Sequence, residues 1–386
     1  MPSRAAPMVT FVLLAAFSGA VAGAEPEFRP LFNGKDLSGW DGEAGLWRVK
    51  GGVIEGGHPD AGPINGSSWL ILRDGEKDAI LRDFHFRCEF RMGNFNSGVQ
   101  YRSTRSHPKG FRVVGYQADL LNGFGTGQLY HEGHQGTGAG VGESVINEKG
   151  GKGIRAGQVA DGKWLMNNKY YEKGEWTRVD VVCRGNHFSH FVNGYPVVEV
   201  IDRDDSTPDR RRRNDDGVIA LQLHGGNGTE MRISFRELHL KTYTDRFGDA
   251  VRVFNGADLD GWKAPAGEKA WAVKPEEKDK AGRVRLVCDG SGKQPLVLAA
   301  EHGPAFLFRC QVKTDAWKPG EKAPFRGVDG WNLLEVTVRD GKAAVEYNGE
   351  PRKDVPAPVA GGKLALPGDA AAEYRNLVLI PILPAK

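Results

Sequence analysis

Apolar and polar residues alternate one by one in short runs along most of the chain, as in "LWRVKGGVIEG", "FHFRCEFRM", "SGVQYRS", "VVGYQADLL", "WTRVDVVCRG", "HFSHFVNGYPVVEV", "GVIALQLHG" and "MRISFRELHL". A period of two marks half-buried strands. Gly, Asn and Asp punctuate the runs and no long helical period interrupts them, so the pattern predicts an all-β protein of antiparallel sandwiches.

The pattern repeats. "LFNGKDLSGW" from Leu31 returns as "VFNGADLDGW" from Val253, and "FHFRCEF" from Phe84 as "FLFRCQV" from Phe306, both 222 residues on. Further along, Trp176 maps onto Trp331 and Asn193 onto Asn348 at an offset of 155, so 67 residues are missing from the second copy. The missing stretch corresponds roughly to Met92 through Gly174. A duplicated domain with a trimmed second copy is expected: a first sandwich over residues 25–244, a junction at "TDRFGD", and a second sandwich over 249–382. Trp40 and Trp262 occur in both copies, which makes them, with Trp47, expected core anchors.

Strand parity sorts the remaining side chains. In "GVQYRS", Gln100 and Arg102 oppose Val99 and Tyr101; in "GYQADLL", Gln117 and Asp119 oppose Tyr116, Ala118 and Leu120; in "VIALQLHG", Gln222 and His224 oppose Ile219, Leu221 and Leu223. Each strand alone reads as an ordinary wet face. Taken together, Gln, Asp, Arg and His suit planar hydrogen bonding to hydroxyls and carbonyls. In the second copy Pro367 and Asp369 replace Gln222 and His224. The Gly-rich "LYHEGH" adds Tyr130, His131, Glu132 and His134, a cluster that can bind a divalent ion or supply an acid or base; read as a loop, it gives no geometric frame. Glu55 in "GGVIEGG" is either a lining residue of the same cleft or a solvated turn.

Length and composition narrow the rest. The 386 residues favour two domains. A formal charge of +3 argues against a nucleic-acid partner, and the run Arg210–Arg213 is offset by neighbouring Asp residues. The start, "MPSRAAPMVTFVLLAAFSGAVAGA", reads as a secretory signal peptide over residues 1–24, its apolar run too short to span a membrane, which predicts export to the periplasm or the extracellular space. Cys88, Cys183, Cys288 and Cys310 form no disulfide framework; Cys288 and Cys310 can pair or remain buried thiols.

At "LFNGKDLSGW", "NSGVQYRS", "GYQADLL", "LYHEG", "EWTRVDVVCRGNHFSHFVNG", "GVIALQLHG" and "ISFRELHL" the chain resembles the 3-keto-disaccharide hydrolase family, from Leu31 to about Tyr243. The resemblance implies concanavalin A-like jelly-roll sandwiches with a carbohydrate cleft on a concave face, and cleavage of glycosides already oxidised at C3. Many members carry Glu and then Gln two residues on, where this chain has Gln117 and Asp119. On this reading Asp119 or His224 is the base. Arg102, with Gln117 or Gln222, donates to the enolate and hydroxyls, with Gln100, Tyr130 and Glu55 as further lining residues. Glu132 or His134 is the leaving-group acid or, with His131, a ligand of a divalent metal ion. The alternative is a lectin-like glycan-binding protein without turnover.

Overall fold

The computed structural model describes residues 27–61, 64, 66–93, 95–133, 136–150, 152–204, 215–225, 231–276 and 284–384. The leader, the run Arg210–Arg213 and His134 lie outside the described residues. Strands dominate, and the one helix among the described residues is the short turn Gly162–Asn167. No helix among them is long and apolar enough to cross a membrane.

The strands make two sandwiches. In the first, a larger sheet runs Lys152–Gln158, Glu143–Glu148, Tyr195–Asp202, His187–Val192, Thr177–Arg184, Phe84–Met92, Ile233–Thr242, Val53–Gly56 and Trp47–Lys50 in spatial order. It faces a smaller sheet of Gly136–Ala139, Leu129–Glu132, Val113–Leu121, Asn96–Arg105, Val218–Leu223, Ser68–Asp74 and Trp40–Asp41. Alternation does the packing: Phe84, Phe86, Cys88 and Phe90 point inward, while His85, Arg87 and Glu89 point out. Each buried Phe contributes roughly 1.5–3 kcal/mol by leaving water.

The second sandwich repeats this order with fewer strands. Its larger sheet runs Glu350–Arg352, Lys342–Tyr347, Asn332–Arg339, Phe306–Lys313, Ala371–Leu383, Val284–Asp289 and Trp271–Pro275; its smaller sheet, among the described residues, has Trp262–Lys263, Leu296–Leu298, Lys363–Leu366 and Val359–Ala360. Strands equivalent in sequence occupy equivalent places. The repeated turns also match bond for bond. Trp40 Nε1 donates to Leu31 O at 2.8 Å and Trp262 Nε1 to Val253 O at 2.9 Å, while Asn33 bonds Asp36 as Asn255 bonds Asp258.

Two expectations are refined. The segment "TDRFGD" is no free linker, because Arg246 and Phe247 pair with Leu383 and Ile382 at the edge of the second sandwich. All four cysteines are buried free thiols, so Cys288 and Cys310 do not pair.

The two larger sheets pack back to back. Phe191 stacks on Phe325 with ring centroids 3.9 Å apart, and Val182 and Leu333 close the same apolar patch. Around it runs a buried ionic chain. Glu335 accepts from Arg184 at 2.6 Å and Arg309 at 2.7 Å, and Arg309 reaches on to Glu199 at 3.2 Å. The smaller sheet of the first sandwich is left facing away from this junction.

Candidate functional site

The outward face of that smaller sheet carries a connected row. Register sets Ile71 against Ala220, Ala220 against Gln100, Gln100 against Gln117 and Gln117 against Tyr130, across five strands. Along it runs a hydrogen-bond relay: Ser103 Oγ donates to Gln100 Oε1 at 2.8 Å, Gln100 Nε2 to Gln117 Oε1 at 2.6 Å, and Gln117 Nε2 to Asp119 Oδ1 at 2.5 Å. Gln128 Nε2 holds the other carboxylate oxygen at 2.9 Å. The relay needs Gly98, since a Cβ there would lie 2.2 Å from Gln117 Cδ.

Asp119 is 5 % exposed, and among the described residues no cation pairs with it. Burial raises its carboxyl above the ordinary value, and the hydrogen bonds from Gln128 and Gln117 only partly oppose this. Glu132 is also raised, by burial and by the charge of Asp119, with Arg112 opposing. The Tyr130 phenol is raised by burial and then by Glu132 and Asp119. Asp119, Tyr130 and Glu132 thus feel one another, and a buried carboxylate with raised proton affinity is suited to proton transfer.

Gln222 lies against Trp69 on the neighbouring strand, and both are buried. Among the described residues, Gln222 Oε1 and Trp69 Nε1 are buried without hydrogen-bond partners. An unmet buried polar atom typically costs ~1–3 kcal/mol, which a hydroxyl-bearing ligand would offset. His224 follows one step past the strand end; burial lowers its imidazole, which favours the neutral form.

Several expectations fail, each for a physical reason. Arg102 does not join Gln100. Two residues, Arg102 and Ser103, sit in the register break between Tyr101 and Thr104, a bulge that resets alternation. Arg102 has φ 44° and is fully buried; it lies over the Phe188 ring at 5.1 Å, donates to Gly185 O at 2.6 Å and pairs with Asp83 at 3.3 Å. It is a strut between the sheets. Glu55 lies on the opposite, larger sheet, where the neighbouring Ile54 is core and Glu55 pairs with Arg48 at 2.8 Å. The "LYHE" run is a strand and not a loop, so His131 alternates with Tyr130 and Glu132 and its ring sits edge-on to buried Tyr116 at 5.0 Å. It cannot share a metal with Glu132. Among the described residues no group of three or more His, Cys, Asp or Glu is placed to hold a metal ion. The sequence reading missed Gln128, Ser103 and Trp69; Gln128 shares parity with Tyr130 and Glu132, which is the signal that reveals it.

The model of the 3-keto-alpha-glucoside-1,2-lyase-like domain matches residues 27–241, more than half of the chain. The chain belongs to this family. The match spans all but the last residue of the sandwich that carries the relay. Solved structures similar to the chain include a glycosyl hydrolase candidate from Parabacteroides distasonis, 20 % identical over 56 % of this chain and 93 % of that one, with a TM-score of 0.36. A carbohydrate-binding module from Bacillus subtilis is 11 % identical over 53 % and 96 %, TM-score 0.32. A Bacillus subtilis protein of unknown function with a galectin-like fold is 11 % identical over 57 % and 96 %, TM-score 0.35. No curated protein sequence matches the chain.

Proposed function

We propose that the relay face of the first sandwich cleaves glycosides oxidised at C3. The ketone acidifies the C2 hydrogen. Asp119 takes that proton, the electron pair forms an enolate, and collapse of the enolate breaks the C1–O bond. The departing oxygen takes a proton from Glu132, leaving a C1=C2 double bond conjugated with the ketone. Water then adds at C1 while a proton returns to C2, so the net change is hydrolysis. The amides of Gln117 and Gln222 are the donors nearest the developing charge, and neutral His224 and Tyr130 flank the sugar.

The observation that carries this reading is Asp119: a buried carboxylate held by two amides, with its proton affinity raised. A positioned base of this kind contributes roughly 10²–10⁴-fold. We read the second sandwich as a non-catalytic copy, because it lacks the strands from Asn96 to Ala139 and carries Pro367 at the Gln222 position. We also propose, from the apolar leader-like run of residues 1–24, that the chain is exported.

Release of glucose from 3-keto-trehalose, set against unoxidised trehalose, tests the proposal. Turnover is expected only with the keto sugar. Asp119→Asn and His224→Ala should each lower it at least about tenfold, or roughly 1.4 kcal/mol of transition-state stabilisation. Saturable binding without turnover would replace the enzyme reading with the glycan-binding one.

A further inference from the structure

Away from the relay face, the segment unique to the first sandwich meets the second sandwich across a cavity of about 1180 Å³. One wall is the helix Gly162–Asn167 with the strands before it; the other is the outer surface of the second sandwich near Lys313 and Glu373. This is larger than a single sugar ring requires.

Its chemistry is balanced in charge. Three guanidinium–carboxylate pairs line it: Arg155 with Glu143 at 2.8 Å, Arg285 with Glu373 at 2.8 Å and Arg375 with Glu276 at 3.1 Å. Paired charges present both donors and acceptors without selecting an anion or a cation. Beside them are apolar surfaces that the fold leaves in solvent. Phe124 is 55 % and Met166 47 % exposed, two of the few large apolar side chains so exposed among the described residues, and both line the cavity. Isolated exposed Leu or Val needs no account, but an aromatic and a Met exposed together on the helix-side wall of a polar cleft mark a contact surface.

We propose that this cleft is a second binding site that takes a neutral oligosaccharide chain, with sugar hydroxyls on the ion pairs and C–H faces against Phe124 and Met166. Sugars are amphipathic in the same way as the walls: polar at the ring edge and apolar on the ring face. A charged polymer would meet its own sign in every pair. The two sites are joined through one loop, because residues 122–128 carry Phe124 into the cleft and Gln128 onto Asp119.

The test is calorimetric titration of the full chain with cellohexaose, maltohexaose and laminarihexaose. At least one should bind, and Phe124→Ala with Met166→Ala should weaken it at least about tenfold; both positions are exposed, so the fold survives. Arg155→Ala, at a side chain 76 % exposed, should weaken the same ligand. Asp119→Asn should leave hexasaccharide binding in place. Failure of all three sugars to bind, or wild-type affinity in the groove variants, overturns the proposal. Loss of binding in Asp119→Asn alone also overturns it, by placing the sugar on the relay face, and leaves the proposed lyase chemistry standing.

Discussion

The first sandwich buries polar residues on two outward faces, and the two faces treat charge in opposite ways. On the back, Arg184 and Glu199 meet Glu335 and Arg309 of the second sandwich, which closes over them. On the front, Asp119 is met by neutral amides only. Burial raises Glu335, but Arg184 and Arg309 outweigh it and hold the carboxyl at about 2; Glu199 is held at about 2 against burial by His187 and Arg309. Burial wins for Asp119, whose carboxyl goes up. A polar face with its counter-charges supplied is a joint; one left short of them is poised for chemistry.

The largest test of this contrast is Glu335→Gln. It takes the carboxylate from buried Arg184 and leaves Arg309 with Glu199 alone, so urea unfolding should show a loss of roughly 3–5 kcal/mol. Wild-type stability in this variant would mean that the two faces do not differ in kind.

Acid should act on the two faces with opposite sign. The joint carboxylates have lowered pKa values, so their stabilisation is present above the ordinary Glu value of ~4.3 and is lost as pH falls toward about 2. Asp119 is raised, so its contribution favours the fold below the ordinary Asp value of ~3.9 and is lost as pH rises through the folded value. Asp119→Asn should therefore gain in Tm over the wild type between pH 4 and pH 8. A variant that melts lower at pH 8 would show that the ionised carboxylate supports the fold.

The smallest effect compares the copies themselves. Trp40→Phe and Trp262→Phe each remove one indole hydrogen bond from equivalent turns, at about 1 kcal/mol apiece in denaturant titrations. Unequal losses would sharpen the view that the turns share a sequence and not a load.

Alternation alone found the front row, because Gln100, Gln117 and Asp119 lie on strands whose pairing is unbroken between them. It failed at Arg102, where the bulge intervenes. Glu55 shows a second limit: parity tells which residues face out, and says nothing about which sheet they face out from. His131 was misplaced because the flanking glycines of "GQLYHEG" hid a four-residue strand. The back face was invisible for a deeper reason. His187, Glu199 and Arg184 alternate with core residues just as Gln117 and Asp119 do, and only the folded chain shows that a second sandwich covers one set.

The bulge at Arg102 and Ser103 also bears on how this strand tolerates change in length. A slip of one residue would turn Gln100 into the core and Val99 onto the relay face. Arg102 bolted to Gly185 and Asp83, with Gly217 too close to accept even a Cβ, fixes the count at that point. Residues gained or lost beyond it, in the hairpin around Ser106 to Gly110, are absorbed at the sheet's end, whereas a single deletion between Gly98 and Tyr101 inverts the row. Natural variation in this hairpin can therefore be broad while the four residues before the bulge keep their number.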